Sequence, residues 1–449
     1  MGQERPGDIT GGVSSLVIVF LKVSFVYLLF GVAFALLIPP WETPDAPSHY
    51  LYVRHIFITK RLPLPSDVNL GLPYPATLYE WHHPPLYYLT QALFLRIINT
   101  DPDCLSLEFP ALNKGFSFNK PSPRYTVSDW PWWTTAVNRT VAKLRIANLL
   151  ICGWPTLLVA GWTGWRLTKK AQFGAMLALL VGLLPQLLFV HVSVENDGMA
   201  ILWATGVWSI LLLTSSNPSM LRWYHVAGVG IMSGLGLLTK LTFFPTTLIA
   251  AVWAIWCMWH TKSKVAFIAF LVPLGLCLTT YAIIGWEHWR ALYSYVTQPV
   301  VRSELAHNWL RFIYLASDSF WGRFGWMNIS VLPSVSPLIS LAVGAGFLWA
   351  GYNLATGRYP QGLGNLRSVL GWACAGLLGQ LLFFFRTFLP IFQPQGRFLF
   401  PTLLPLWLVI LLTLWPKLNG RWRSLLLLAC WVSFDLLSLI RLIVVYWQG

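Results

Sequence analysis

Apolar residues run in continuous stretches of about twenty over most of the chain, broken by short polar connectors. A helix rising about 1.5 Å per residue crosses the hydrocarbon of a bilayer in that length, whereas an outer-membrane barrel needs alternating segments of about ten. Eleven such runs predict spans near residues 14–38, 144–166, 171–192, 199–214, 224–239, 241–259, 265–284, 334–352, 368–385, 400–416 and 424–446. One further stretch, 83–98, is apolar enough to pass for a span after Pro84-Pro85, but counting it would reverse every later connector. It reads instead as a helix lying along or dipping into the outer surface. The expected fold is therefore an all-α polytopic membrane protein of about eleven transmembrane helices, with all 449 residues forming a single transmembrane domain. Residues 39–143 become a large first extracytoplasmic loop, too long for a simple connector and expected to carry juxtamembrane surface helices.

The charges orient this scheme. Basic residues mark alternate connectors (Arg166, Lys169 and Lys170; Arg222; Lys262 and Lys264; Arg358 and Arg367; Lys417, Arg421 and Arg423), and those connectors lack Asp and Glu. They read as cytoplasmic. The thirteen acids from Glu42 to Asp318 all fall on the other side, leaving Glu4, Asp8 and Asp435 elsewhere. The amino terminus is then cytoplasmic, the carboxyl terminus outside, and the Asn138-Arg139-Thr140 sequon outside. The first apolar run is too long for a signal-peptide core and lacks a small-residue cleavage site before Pro39, so it should remain as an anchor.

Composition agrees and narrows the function. A chain 56% hydrophobic and 10% charged is not that of a water-soluble protein, and 26 Trp fit aromatic belts at two lipid interfaces. The net charge of +15 follows from topology plus an anionic ligand; no basic segment sits on a soluble domain, so no nucleic acid is expected. Five of the six cysteines lie in apolar runs and only Cys104 in a polar loop, which implies neither a disulfide framework nor a zinc-ligand set.

Polar chemistry gathers just beyond the first span. In Pro39-Pro40-Trp41-Glu42-Thr43-Pro44-Asp45-Ala46-Pro47-Ser48-His49, Pro47 suits a first helical turn. Asp45 stands at the start of that helix with His49 four residues on, sharing its face. Asp45 is either a helix cap or a reactive carboxylate. Tyr79-Glu80-Trp81-His82-His83-Pro84-Pro85 brings a carboxylate and two imidazoles to the mouth of the surface helix. Glu80 with His82 or His83 could hold a divalent metal ion or orient a substrate; the other reading is an interfacial turn. Arg54, Arg61, Arg145, Lys240, Arg323, Arg386 and Arg397 share the outer boundary, where each either snorkels or helps bind a phosphate headgroup. Glu195-Asn196-Asp197-Gly198 opens the fourth span, so Asp197 or Asn196 caps it or contacts a sugar. Ser319 to Trp326 could stack on sugar rings or belong to the aromatic belt, and Asp435 in the last span has Arg441 as a candidate partner.

Taken in order, Asp45 and His49, Glu80 to Pro85, Arg145, Pro185 with Asn196-Asp197, Lys240, Trp321 to Trp326 and Gly396-Arg397 before Pro401 resemble the integral-membrane GT-C glycosyltransferases. The likeness is to the polyprenyl-phosphate-sugar branch, which includes protein mannosyltransferases and the lipid A aminoarabinose transferase. It implies transfer of a sugar from a polyprenyl-phosphate donor to a hydroxyl of a glycan, lipid or protein acceptor, by one inverting displacement outside the cell (plasma) membrane. Asp45 matches the family's catalytic Asp. The resemblance makes Lys240 and Arg397, and after them Arg54 and Arg145, stabilise the departing phosphate, with His49, Glu80, His83 and Asp197 in substrate contact. No cofactor is required beyond a divalent metal, if any, on Glu80 and His83. The family's usual second acid is replaced here by Ala46, so Glu42 or Glu80 would have to supply it. No nucleotide-binding glycine loop is visible, in keeping with a lipid-linked donor. Two other classes fit the spans and the outer basic groups: a transporter or flippase of lipid-linked glycans, and a noncatalytic assembly subunit with a degenerate site.

Overall fold

The computed structural model describes all residues except 1–6, 69–76, 106–108, 128–129, 300, 359–364, 419 and 449. Its elements, in chain order, begin with α1 (Gly7–Leu37), α2 (Ala46–Thr59) and α3 (Leu86–Ile97). Then come α4 (Ala136–Asn148), which runs through a π-turn into α5 (Trp154–Thr168), α6 (Ala171–Gly182), α7 (Pro185–His191), α8 (Asp197–Ser216), α9 (Trp223–Thr239), α10 (Phe244–Thr261) and α11 (Lys264–Ile284). The remainder is α12 (Trp286–Val296), α13 (Trp309–Trp321), a two-residue hairpin β1 (Arg323–Phe324) and β2 (Ile329–Ser330), α14 (Ser336–Ala355), α15 (Leu366–Phe388), α16 (Leu403–Leu418) and α17 (Arg421–Trp447).

Among the described residues nine helices are long and apolar enough to cross a membrane, or ten if α6 and α7, bent by 72° at Leu183-Leu184, make one span. Pro185 at the start of α7 has no N–H to continue the α6 ladder, which accounts for the break. The expected segment left over is α9, whose 17 residues extend about 25 Å, at the short limit of a crossing. Lys240 at its end meets Asp197 at the start of α8, with Nζ 2.6 Å from Oδ1. The end of α9 therefore lies beside the start of α8.

The expected surface helix is present as α3, 12 residues long and too short to span. With α2 it builds a layer that has its own core, including Trp41, Tyr50, Tyr52, Tyr87, Tyr88 and Trp326. Below it lies the apolar interior of the bundle, centred on residues such as Leu187, Ala204, Trp208, Trp253 and Leu408. The last helix ends beside the first: Trp447 Nε1 donates to Leu37 O at 2.8 Å. The first-loop layer thus marks one end of the bundle, here called the loop end, and the connectors at 169–170, 217–222 and 262–263 lie at the other. Glu4, Glu108 and Asp129, three of the acids used for orientation, lie outside the described residues.

Three sequence expectations are corrected. The tryptophans do not all form belts: Trp41, Trp132, Trp208, Trp253 and Trp321 are buried inside the protein, while Trp162, Trp223, Trp259 and Trp309 are exposed. Trp321 packs against Trp407 and Trp431, and Trp326 donates to Trp41 O at 3.0 Å, so this aromatic stretch is core rather than a sugar platform. Asp435 is fully buried, but neither carboxylate oxygen has a hydrogen-bond partner among the described residues and no ion pair joins it to Arg441. Six residues apart on one helix, the two side chains point about 120° apart and do not share a face.

Candidate active site

Four chain segments converge at the loop end, and each is held there by local chemistry. After α1 the prolines at 39, 40 and 44 deny the backbone helical hydrogen bonds. The chain turns through positive φ at Trp41 (70°) and Asp45 (62°), a conformation that Asp tolerates better than most residues. Glu42 pins this turn: it is fully buried and accepts from the backbone N–H of Arg124 and of Tyr125, both at 2.8 Å. Burial pushes its carboxyl up to about 7 against those hydrogen bonds. Glu42 is therefore committed to holding this turn. Asp45 sits at the N-cap position of α2 but makes no capping bond. Its side chain, 28% exposed, turns toward Arg397 instead.

Arg397 arrives from the opposite direction. Gly396 before it has its N–H bonded to Ser319 Oγ at 2.7 Å, and a Cβ there would lie 2.4 Å from Ala316 O and 2.6 Å from Phe320 N. Only glycine lets this segment press against α13. The guanidinium, 5% exposed, bonds Glu195, lies 3.4 Å from Asp197 Oδ2 through Nε, and sets Nη2 3.9 Å from Asp45 Oδ2. Nη2 makes no hydrogen bond among the described residues. Lys240, in the α9–α10 turn, pairs with Asp197 and faces the Phe398 ring at 5.6 Å. Asn196 joins the same two segments by donating to Thr239 O at 3.0 Å. Neither Asn196 nor Asp197 caps α8; both are turned into the cluster.

Three carboxylates, Asp45, Glu195 and Asp197, thus surround two cations in a largely buried cluster. Burial raises the carboxyl of Asp45, with Glu80 adding to it and Arg397 opposing. Burial likewise brings Glu195 up to about 7 although Arg397 opposes it. Tyr79 donates a short hydrogen bond to Asp45 Oδ1.

A second group adjoins the first. Glu80 Oε2 lies 2.7 Å from His83 Nε2 and 3.7 Å from His82 Nε2, and donor atoms of the three residues fall within 4.8 Å of one another. One carboxylate and two imidazoles are a set suited to a divalent metal such as zinc. Burial holds His82 down at about 4, so at neutral pH its ring is the uncharged, ligating form. Although burial alone would raise Glu80, the neighbouring imidazoles, His83 foremost, bring its carboxyl below the ordinary range. His83 Nδ1 is 2.9 Å from Asn196 Nδ2 and 3.2 Å from Tyr88 Oη, which ties this group to the α8 segment. His49 faces Tyr88 Oη at 2.7 Å, and burial holds it near 3, so it supports the histidine group without bearing charge.

Two expected phosphate ligands are elsewhere. Arg54 donates Nε to Leu105 O at 2.5 Å, away from the cluster. Arg145, 1% exposed, donates to the carbonyls of Ala35 (3.1 Å), Ile38 (2.5 Å) and Pro39 (2.8 Å), closing the end of α1. The residues that the sequence did not single out are Tyr79 and Glu195, the latter paired with Arg397 in the cluster. Its signal was an acid two residues before Asp197 at the head of a span.

This bundle of long apolar helices, with a helical first-loop layer at one end, shares its overall fold with solved structures. It is similar to the structure of ArnT from Cupriavidus metallidurans bound to undecaprenyl phosphate, at 14% identity and a TM-score of 0.51, covering 97% of this chain and 76% of that one. The same protein in the apo state aligns over 98% of this chain and 76% of that one at 14% identity with a TM-score of 0.47. The Pmt1-Pmt2 protein O-mannosyltransferase complex of S. cerevisiae bound to the sugar donor aligns at 14% identity and 0.42, over 62% of this chain and 34% of that one. No family model and no curated protein matches the sequence.

Proposed function

We propose that this protein is a glycosyltransferase that moves a sugar from a polyprenyl-phosphate carrier to an acceptor hydroxyl on the extracytoplasmic side of the plasma membrane, with its amino terminus cytoplasmic. The observation that carries this reading is the placement of Asp45, the most exposed carboxylate of the charged pocket, opposite the unbonded Nη2 edge of Arg397. The fold shared with a protein solved with undecaprenyl phosphate supports a lipid-linked donor.

The chemistry follows from these positions. Asp45, its carboxyl raised by burial, accepts the proton of the acceptor hydroxyl as that oxygen forms a bond to the anomeric carbon. The bond from that carbon to the phosphate oxygen breaks, and the phosphate leaves with the electron pair, so one displacement inverts the centre. A phosphate needs no general acid to leave, only cations near its oxygens; Arg397 Nη2 and the remaining protons of Lys240 serve. Glu195 and Asp197 hold these two cations in a fixed orientation before substrate arrives. A divalent ion on Glu80, His82 and His83 would supply further positive charge at the edge of the pocket.

Purified protein given labelled polyprenyl-phosphate sugars should transfer label, and Asp45→Asn should lose about 10²–10⁴-fold in rate while keeping its melting temperature. Equal transfer by both would overturn the assignment of the base.

A further inference from the structure

A second concentration of positive charge lies outside the Asp45 pocket. Between α13, the β-hairpin, residues 118–121 and the late part of α17 is a cavity of about 450 Å³ lined by Arg311, Arg323 and Arg441. One carboxylate lines it, Asp318, and that group is occupied: it accepts from Ser330 Oγ at 2.7 Å and Ser336 Oγ at 3.0 Å, and lies 3.3 Å from Arg323 Nη1. Three guanidiniums face one satisfied acid. The guanidiniums of Arg311 and Arg441 take part in no hydrogen bond or ion pair among the described residues. The wall opposite is fixed, because Asn328 donates to Lys120 O at 3.0 Å and Ser122 O at 2.8 Å, which binds the first loop to the hairpin.

The flanks of the cavity are apolar and uncovered. On α13, Leu310 (64%) and Ile313 (41%) are exposed, and on α17 so are Ile440 (57%) and Val444 (43%). Both helices present these side chains at the loop end, where α17 finishes beside the end of α1. A pocket with excess guanidinium set between two lipid-facing surfaces suits a group with a phosphate at one end and hydrocarbon at the other. We propose that this pocket binds the phosphate headgroup of an anionic lipid, whose acyl chains lie along the exposed faces of α13 and α17. The site is separate from the Asp45 pocket and does not depend on the proposed reaction. The free anion is the competing occupant, and the apolar flanks favour the lipid.

The full chain reconstituted in nanodiscs of phosphatidylcholine doped with phosphatidylglycerol tests this, with bound lipid read by native mass spectrometry and a spin-labelled phosphatidylglycerol reporting contact. Phosphatidylglycerol should be retained in preference to phosphatidylcholine, and Arg311→Gln with Arg441→Gln should reduce that preference about tenfold. The charge-keeping pair Arg311→Lys and Arg441→Lys should retain most of it, which separates lost charge from lost folding; a melting scan of each variant checks the latter. Equal retention of the two lipids, or an unchanged preference in the Gln pair, would overturn the proposal. So would displacement of the spin-labelled lipid by millimolar inorganic phosphate as readily as by phosphatidylglycerol, because the pocket would then be a free-anion site.

Discussion

Arg145 and Arg397 are both buried guanidiniums at the loop end, 1% and 5% exposed, and by sequence either could serve a phosphate. Their surroundings differ in kind. Arg145 is met by three backbone carbonyls and the Trp132 ring, and every acceptor belongs to the end of α1 or the turn after it. Arg397 is met by two carboxylates of one segment, Glu195 and Asp197, with one edge directed at a third carboxylate, Asp45, from another. Carbonyl acceptors stabilise a cation without needing anything further, and the result is a fixed joint between α1 and α4. Carboxylates gathered around a cation repel each other, so their arrangement costs stability that a fold alone does not require. Such an arrangement is the one to associate with chemistry.

Separating the two roles experimentally begins with the joint. Arg145→Ala removes three charge-assisted hydrogen bonds and leaves buried carbonyls without donors, a loss of about 4–5 kcal/mol. Thermal melting and the fraction eluting as a monodisperse species in detergent should both fall, with residual activity per folded molecule close to wild type. A variant that folded normally but bound donor poorly would place Arg145 in the site after all. Arg397→Lys should show the converse: it keeps the charge among Glu195, Asp197 and Asp45 but loses the planar edge, so transfer should drop about 10²–10³-fold while melting moves less than for Arg145→Ala.

Acidity divides the same regions. Burial raises Glu42, in the structural turn, to about 7 from its ordinary 4.5. Between these values the native carboxyl keeps a proton that the unfolded chain has released, so stability falls as pH rises across that window and levels off above it. The size is about 3 kcal/mol. Chemical denaturation from pH 4.5 to 8 should show that decline beyond the one due to Glu195, and Glu42→Gln should flatten it by the Glu42 share with transfer unaffected. Asp45 acts in the other sense on rate: it must be ionised to accept a proton, so kcat/KM should rise with pH along a limb whose midpoint lies above that of an ordinary Asp. A limb at the ordinary value would detach Asp45 from the proton transfer.

How far the sequence could be read follows from what each residue needs. Helix length, the one-sided acids and the position of Asp45 after a proline-rich break are local properties; the structure is helical as expected, with nine or ten helices among the described residues long and apolar enough to cross where eleven were expected. Lys240 and Arg397 were legible because each follows glycines at the mouth of a span, where backbone can approach closely. Arg145 and Arg54 were not, since nothing local says whether a guanidinium will meet carbonyls or carboxylates. Glu195 was hidden for a related reason: next to Asn196-Asp197-Gly198 it reads as part of a helix cap, and only the arrival of Arg397 from two hundred residues away makes it a partner. Helix α9 is short for a crossing, and its role is fixed by the Lys240–Asp197 pair rather than by its own length.

The mildest test concerns the histidine group. If Glu80, His82 and His83 hold a divalent ion, removing His83 takes one ligand and also the contact with Asn196 that joins this group to the α8 segment. Loss of even a supporting partner of a metal ligand typically costs about 10–100-fold in metal affinity. His83→Ala should therefore bind zinc about tenfold more weakly by competition with a chromogenic chelator. The metal-free wild type and metal-free His83→Ala should then differ little in transfer, since the Asp45–Arg397 geometry remains in both. If the two metal-free proteins differ as much as the loaded ones, His83 acts through Asn196 on the placement of Asp197 and Lys240, and the triad is a brace rather than a metal site.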